Sequence, residues 1–156
     1  MLKLQHHIHI NPYPAYELAH LSPEQLWSGL VLRVLEPVRF TLGLDEAQVV
    51  KISEVQYRRV LSFGAHNISD EVALEPQRSV RFVTEATEQI PSGQLYYEIQ
   101  EDTTHGLLLL CEYATAFPEP ETDEERQLLE TIKSAYRMAD EDMVRIIREY
   151  ALMVRH

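Results

Sequence analysis

Two carboxylates, Asp70 and Glu112, stand inside alternating apolar segments, where a protein interior can turn a carboxyl group into a general acid or base. Burial raises a carboxyl pKa because the charged form loses its hydration. Asp70 shares one side of a predicted strand with Ile68, Val72 and Leu74. Glu112 alternates with Leu108 and Leu110, whereas Cys111 and Tyr113 alternate with Leu107 and Leu109. All four leucines are apolar, so parity leaves the inward face of this segment open. Facing in, Glu112 is a candidate acid or base; facing out, it is a surface carboxylate.

Parity also places polar groups beside Asp70. With Val80, Phe82 and Thr84 inward, a three-residue loop at Pro76-Gln77-Arg78 keeps Asp70 on the same face. A turn through residues 64–67 then brings in Tyr57, Arg59, Leu61 and Phe63, making Arg59 and Asp70 diagonal cross-strand neighbours. Buried charges are costly unless paired, so an ion pair is expected. It serves either as a structural pair or as a polar anchor for a carboxylate or carbonyl on an apolar ligand. Tyr57, Tyr97 and Tyr136 are the tyrosines expected to present hydroxyls inward.

Other chemistry is sparse. His7 and His9 share a strand face, but a third ligand is not identifiable, so no metal and no cofactor is expected. Cys111 reads as a buried, inert thiol without a histidine or lysine partner. There is no Ser-His-Asp ordering and no glycine-rich phosphate loop.

The elements that must position these residues follow from periodicity. Residues 2–10 read as a strand ended by Pro12-Tyr13-Pro14. Ser22-Pro23-Glu24-Gln25 opens a short helix, with serine as cap, proline at the first helical position and Gln25 completing a capping box; Pro37 ends it. Strands are predicted at 48–53, 55–63, 68–74, 79–85, 95–100 and 107–115, joined by turns without intervening helices, which means an antiparallel meander. Thr122 and Glu125 cap a helix running to Arg155, with Leu129, Ile132, Tyr136, Ala139, Met143, Ile146, Tyr150 and Met153 at heptad spacing. The stripe widens at Ile147, Ala151 and Val154, and the sheet needs a partner, so packing on the sheet is favoured over a coiled coil.

The 156 residues, 45% hydrophobic, suit a single domain spanning 1–156. A formal charge of -11 and the absence of a basic cluster beyond Arg58-Arg59 argue against nucleic acid and anionic membranes as partners. One cysteine, no long apolar run and no signal-peptide pattern make a cytoplasmic protein the expectation, as monomer or homodimer.

Several segments carry a resemblance: residues 21–33 (LSPEQLWSGLVLR) with Glu36-Pro37, Leu74-Glu75-Pro76, Val80-Arg81-Phe82 with Thr84-Glu85-Ala86-Thr87, and residues 133–140 (KSAYRMAD). With the element order, they make the chain similar to the START/Bet v1-like (SRPBCC) superfamily and, within it, to the AtaL-like family, formerly the DUF1857 domain family. The resemblance implies an α+β helix-grip fold: a curved antiparallel sheet of six to seven strands on a long C-terminal helix, with a short helical segment after strand 1. It further implies a hydrophobic pocket and supplies no catalytic motif. The expected ligand is a small hydrophobic or aromatic molecule held between sheet and helix. Expected contacts are Tyr57, Arg59, Asp70, Phe82, Thr84, Tyr97, Tyr136, Ala139, Met143 and Ile147. The alternative is a cyclase, dehydratase or hydrolase-like enzyme using Asp70 or Glu112 with tyrosine hydroxyls.

Overall fold

The computed structural model describes residues 2–12 and 19–154, so Tyr13, Pro14 and Arg155 lie outside the described residues. Strand β1 (Leu2–His9) is followed by helix α1 (Pro23–Leu35) and a 3-10 turn (Pro37–Arg39). Strands β2 (Glu46–Ser53), β3 (Gln56–Phe63), β4 (His66–Glu75), β5 (Ser79–Thr84), β6 (Gly93–Asp102) and β7 (Gly106–Thr115) come next, and α2 (Asp123–Met153) closes the chain. The strands form one antiparallel sheet in the order β1-β7-β6-β5-β4-β3-β2, a meander whose last strand pairs with the first. This is the helix-grip architecture.

Local chemistry explains the boundaries. Ser22 accepts from the Gln25 backbone N–H while the Gln25 side chain accepts from that of Ser22, so both halves of the capping box are present. Thr122 accepts from Glu125 N–H at the start of α2, beside the acidic first turn Asp123, Glu124 and Glu125. The β4–β5 loop is Pro76-Gln77-Arg78, as the sequence predicts, with Gln77 in the left-handed region at φ 64°.

The β3–β4 hairpin corrects the expected register. Phe63 pairs with His66, so the turn is only Gly64-Ala65, with Gly64 at φ 60°. Shortening the turn from four residues to two places Arg59 directly opposite Asp70 rather than diagonal to it. Parity is unchanged, and the two side chains share the concave face.

The core lies between that face and the two helices: Ile8, Ile10, Leu26, Trp27, Leu30, Val34, Val72, Val80, Phe82, Tyr97, Leu109, Met143 and Ile147 are buried together. Gly29 lets α1 approach α2; an added Cβ would stand 2.6 and 2.9 Å from Ile147 Cγ1 and Cβ. Helix α2 grips unevenly. From Asp140 onward it buries Asp140, Met143, Val144, Ile147 and Ala151, while in its first half only Leu129, Ile132 and Tyr136 are even half-buried. The buried face follows a 3.6-residue helical period, not the 3.5-residue heptad, and the two diverge by about 20° per seven residues. That drift turns Asp140 inward and leaves Ala139, expected to touch the ligand, exposed. None of the described helices is long and apolar enough to cross a membrane.

Candidate functional site

At the middle of α2 the interior becomes polar. Asp140, 1% exposed, accepts from the Tyr97 hydroxyl through Oδ1 at 2.6 Å and from the Tyr113 hydroxyl through Oδ2 at 2.7 Å. His6 Nε2 also lies 2.7 Å from Oδ2. These groups converge from four elements: His6 on β1, Tyr113 on β7, Tyr97 on β6 and Asp140 on α2. Each strand supplies its group by alternation. Leu4, His6 and Ile8 face the interior from β1, and Cys111 stands directly across from His6 on β7.

This settles the face of β7. Cys111 is fully buried and Tyr113 points to Asp140, so Glu112 projects from the opposite face, where it is half-buried opposite Gln5 and Tyr96. Glu112 therefore has no place in the interior cluster; the long helix covers only the other face of this strand.

Burial governs the cluster's protonation. Above all it is desolvation that pushes the Tyr97 and Tyr113 hydroxyls well above the ordinary tyrosine value, and neighbouring Asp140 adds to it. Both phenols stay protonated donors at neutral pH. Burial also pushes the Cys111 thiol up, in keeping with the inert thiol expected, although a histidine, His6, does stand across from it in the β1–β7 ladder.

Arg33, from the last turns of α1, extends toward the same cluster. Its guanidinium lies 5.6 Å from the centre of the Phe82 ring and 5.7 Å from that of Tyr97, and its Nε is sealed from solvent without a hydrogen-bond partner among the described residues. Phe82 and Tyr97 meet edge to face at 6.1 Å. A buried cationic donor with a free N–H is suited to an oxygen with negative character.

The Arg59–Asp70 pair forms as expected and is nearly inaccessible. Arg59 Nε and Nη2 donate to the two Asp70 oxygens at 2.9 and 2.6 Å, and Nη1 donates to the carbonyls of Val34 and Arg33 at 3.1 and 3.4 Å. Those carbonyls end α1 and have no partner within the helix. The pair thus fastens α1 to the sheet and sets where Arg33 enters the interior.

One end of the cluster opens to a cleft of about 440 Å³ bounded by Thr84, Leu95, Tyr113, Phe117, Tyr136 and the loop at 90–93. Tyr113 and Tyr136 stack at 4.1 Å with their planes 4° apart and form one wall. Of the expected contacts, Thr84 and Tyr136 line this cleft, and Tyr97 lies behind it on Asp140. Phe82, Met143 and Ile147 are core residues, and Tyr57 is half-buried toward the other end of the sheet. Sequence reasoning missed His6, Arg33, Tyr113 and Asp140 as a group. Two signals pointed to it: histidine in the Leu4-x-His6-x-Ile8 alternation, and an aspartate at a 3.6-residue stripe position.

Comparison with known proteins agrees with the architecture. The di-domain ARO/CYC StfQ from the steffimycin biosynthetic pathway aligns with TM-score 0.67 and 12% identity over 97% of this chain and 52% of that one. The ZhuI aromatase/cyclase from Streptomyces sp. R1128 aligns with TM-score 0.62 and 14% identity over 99% and 96% of the two chains. Ara h 8.0201 aligns with TM-score 0.57 and 11% identity over 97% and 98%. The chain spans about half the length of the di-domain proteins, and at these identities the likeness is one of fold. No curated protein sequence matches it. The model of the family described as AtaL, acetylaranotin biosynthesis cluster protein L, matches residues 4–153. With nearly the whole chain matched and the helix-grip architecture in place, this protein belongs to the AtaL family.

Proposed function

We propose that the cleft takes up a small, largely aromatic molecule bearing carbonyl or hydroxyl oxygens, and that the protein catalyses a cyclisation or dehydration on it with its own side chains. The observation that carries this reading is the buried Asp140 carboxylate, held by two phenols and a histidine, with one phenol (Tyr113) on the cleft wall. A surface binding pocket has no need of such a cluster. The neighbouring Arg33 guanidinium supplies a cationic donor for an enolate oxygen. That structures titled ARO/CYC and aromatase/cyclase share the fold adds support from likeness alone.

In a dehydration of a β-hydroxy ketone, the Asp140 network takes the proton α to the carbonyl, and Tyr113 delivers a proton to the departing hydroxyl. A C–H and a C–O bond break, a C=C bond forms, water leaves, and proton transfer from Asp140 to Tyr113 restores the network. Arg33 holds the negative charge that builds on the carbonyl oxygen between these steps.

The test has two parts. Native mass spectrometry of protein purified from its source reads any retained aromatic molecule. Incubation with a panel of aryl β-hydroxy ketones reads loss of one water. Turnover that falls by about 100-fold or more in Tyr113→Phe and in Asp140→Asn is expected, since general acid–base groups contribute roughly 10²–10⁴-fold. Turnover unchanged in both variants, or a wild-type protein that neither binds nor converts any member of the panel, overturns the reading.

A further inference from the structure

We propose that His6, Cys111 and Asp140 form a binding site for a transition-metal dication, zinc foremost, between β1, β7 and α2. One donor atom from each residue, imidazole nitrogen, sulfur and carboxylate oxygen, lies within 4.8 Å of the other two. In a tetrahedral zinc site, bonds of about 2.0–2.3 Å put neighbouring donors roughly 3.3–3.8 Å apart. His6 Nε2 and Asp140 Oδ2, hydrogen-bonded at 2.7 Å, must separate by about 0.6 Å to take an ion between them.

The site is built rather than incidental. His6 and Cys111 are direct partners in a regular antiparallel ladder, and Asp140 lies on the buried face of α2, so all three are carried by rigid elements. Tyr97 donates to Asp140 Oδ1, the arrangement by which outer partners orient a ligating carboxylate, and a metal on Oδ2 takes the place of the hydrogen bond that Tyr113 donates there. Thiolate, imidazole and carboxylate together are a donor set that suits zinc.

Charge decides whether a cation can be held here. Arg33 stands close to the cluster, so an added dication is tolerable only if the ligands cancel it. Asp140 brings one negative charge and Cys111 a second once its thiol proton passes to water on metal binding; the site is then neutral. A fourth position falls toward the Tyr113 hydroxyl, itself 2.7 Å from Oδ2. A recess of about 210 Å³ reaches His6 from outside, its rim carrying Glu130 as well as the cations Lys133 and Arg137. The inference does not depend on the proposed reaction, because metal binding is read without substrate; the reaction belongs to the metal-free protein, since an Asp140 oxygen bound to a metal is not free to take a proton.

The experiment is a titration of the full chain, treated first with chelator, with Co²⁺ and then Zn²⁺ in competition. Expected are one metal per chain, the intense visible bands of tetrahedral cobalt, and a near-ultraviolet thiolate-to-cobalt band. Cys111→Ser abolishes that band, and Cys111→Ser and His6→Gln each weaken binding by about 100-fold or more. Tyr97→Phe weakens it by roughly 10- to 100-fold, the usual cost of an outer partner. The combined variant His7→Gln/His9→Gln/His105→Gln, which removes exposed histidines near β1, binds as the wild type does. Absence of cobalt bands in the wild type, bands that survive Cys111→Ser, or binding lost with the surface histidines each overturn the proposal. Metal binding without turnover of the ketone panel would sink the reaction and leave this site standing.

Discussion

At the scale of the residue, the molecule keeps two buried charged clusters and uses them differently. Arg59 donates two hydrogen bonds to Asp70, and the remaining Arg59 nitrogen satisfies the last carbonyls of α1. Removing one partner leaves an uncompensated buried charge, whereas removing both leaves an apolar contact. Arg59→Met should therefore cost about 3–5 kcal/mol in urea denaturation, and Arg59→Met/Asp70→Leu should cost less than that single change. Additive losses would show that the pair contributes nothing as a pair. Asp140 differs because its partners are two phenols and an imidazole rather than a guanidinium, and one of them, Tyr113, lines the cleft. Alternation predicted the Arg59–Asp70 pair because both residues sit on strands of fixed parity. Asp140 was harder to read: Ala139 fits a heptad stripe better, and only the true helical period tells the two apart.

At the scale of the element, the two helices meet through a glycine, and the long helix is held along only part of its length. In Gly29→Ala a gain of about 1 kcal/mol in helix propensity opposes a clash with Ile147, which is fully buried and has nowhere to go. Overpacking of this kind costs roughly 1–3 kcal/mol, so a net loss of stability is expected in thermal or urea denaturation, with the Gly29→Ala penalty smaller in an Ile147→Ala background, which lacks both clashing Cγ atoms. A more stable Gly29→Ala would mean that the helices are free to move apart. Along α2, Leu128 is 60% exposed and Met138 64%, whereas Met143 and Ile147 are buried. Amide exchange should be faster over residues 124–136 than over 140–151, because local opening follows the density of buried contacts. Equal protection along the helix would contradict the uneven grip. The N-caps that start both helices were legible in the sequence, since they depend only on residues three apart; the expected box at α2 is only half made, because the Glu125 side chain accepts from Glu121 N–H rather than from that of Thr122.

At the scale of the whole molecule, the sheet and α2 leave one largely apolar cleft beside the Asp140 cluster. Ala116 is exposed at its border, so a large side chain there fills space without disturbing the core. Ala116→Trp should abolish the fluorescence of an anilinonaphthalene sulfonate probe bound to the protein, with a melting temperature within a few degrees of the wild type. Leu42→Ala, at a fully exposed position away from the cleft, should leave probe binding intact. A probe that still binds Ala116→Trp is bound somewhere else.

The sequence alone determined the helix-grip order, the strand parity, the buried ion pair and the helix starts. All of these depend on periods of two and 3.6 residues, on capping chemistry and on the cost of an unpaired charge, which act over short stretches of chain. Tertiary structure decided which face of β7 looks inward, that Asp140 rather than Ala139 meets it, and that His6 lies opposite Cys111. Those outcomes depend on the turn length between strands and on the rotation of a long helix about its own axis. Residues 134 positions apart, such as His6 and Asp140, are brought together only when the last strand closes on the first and the helix packs across both.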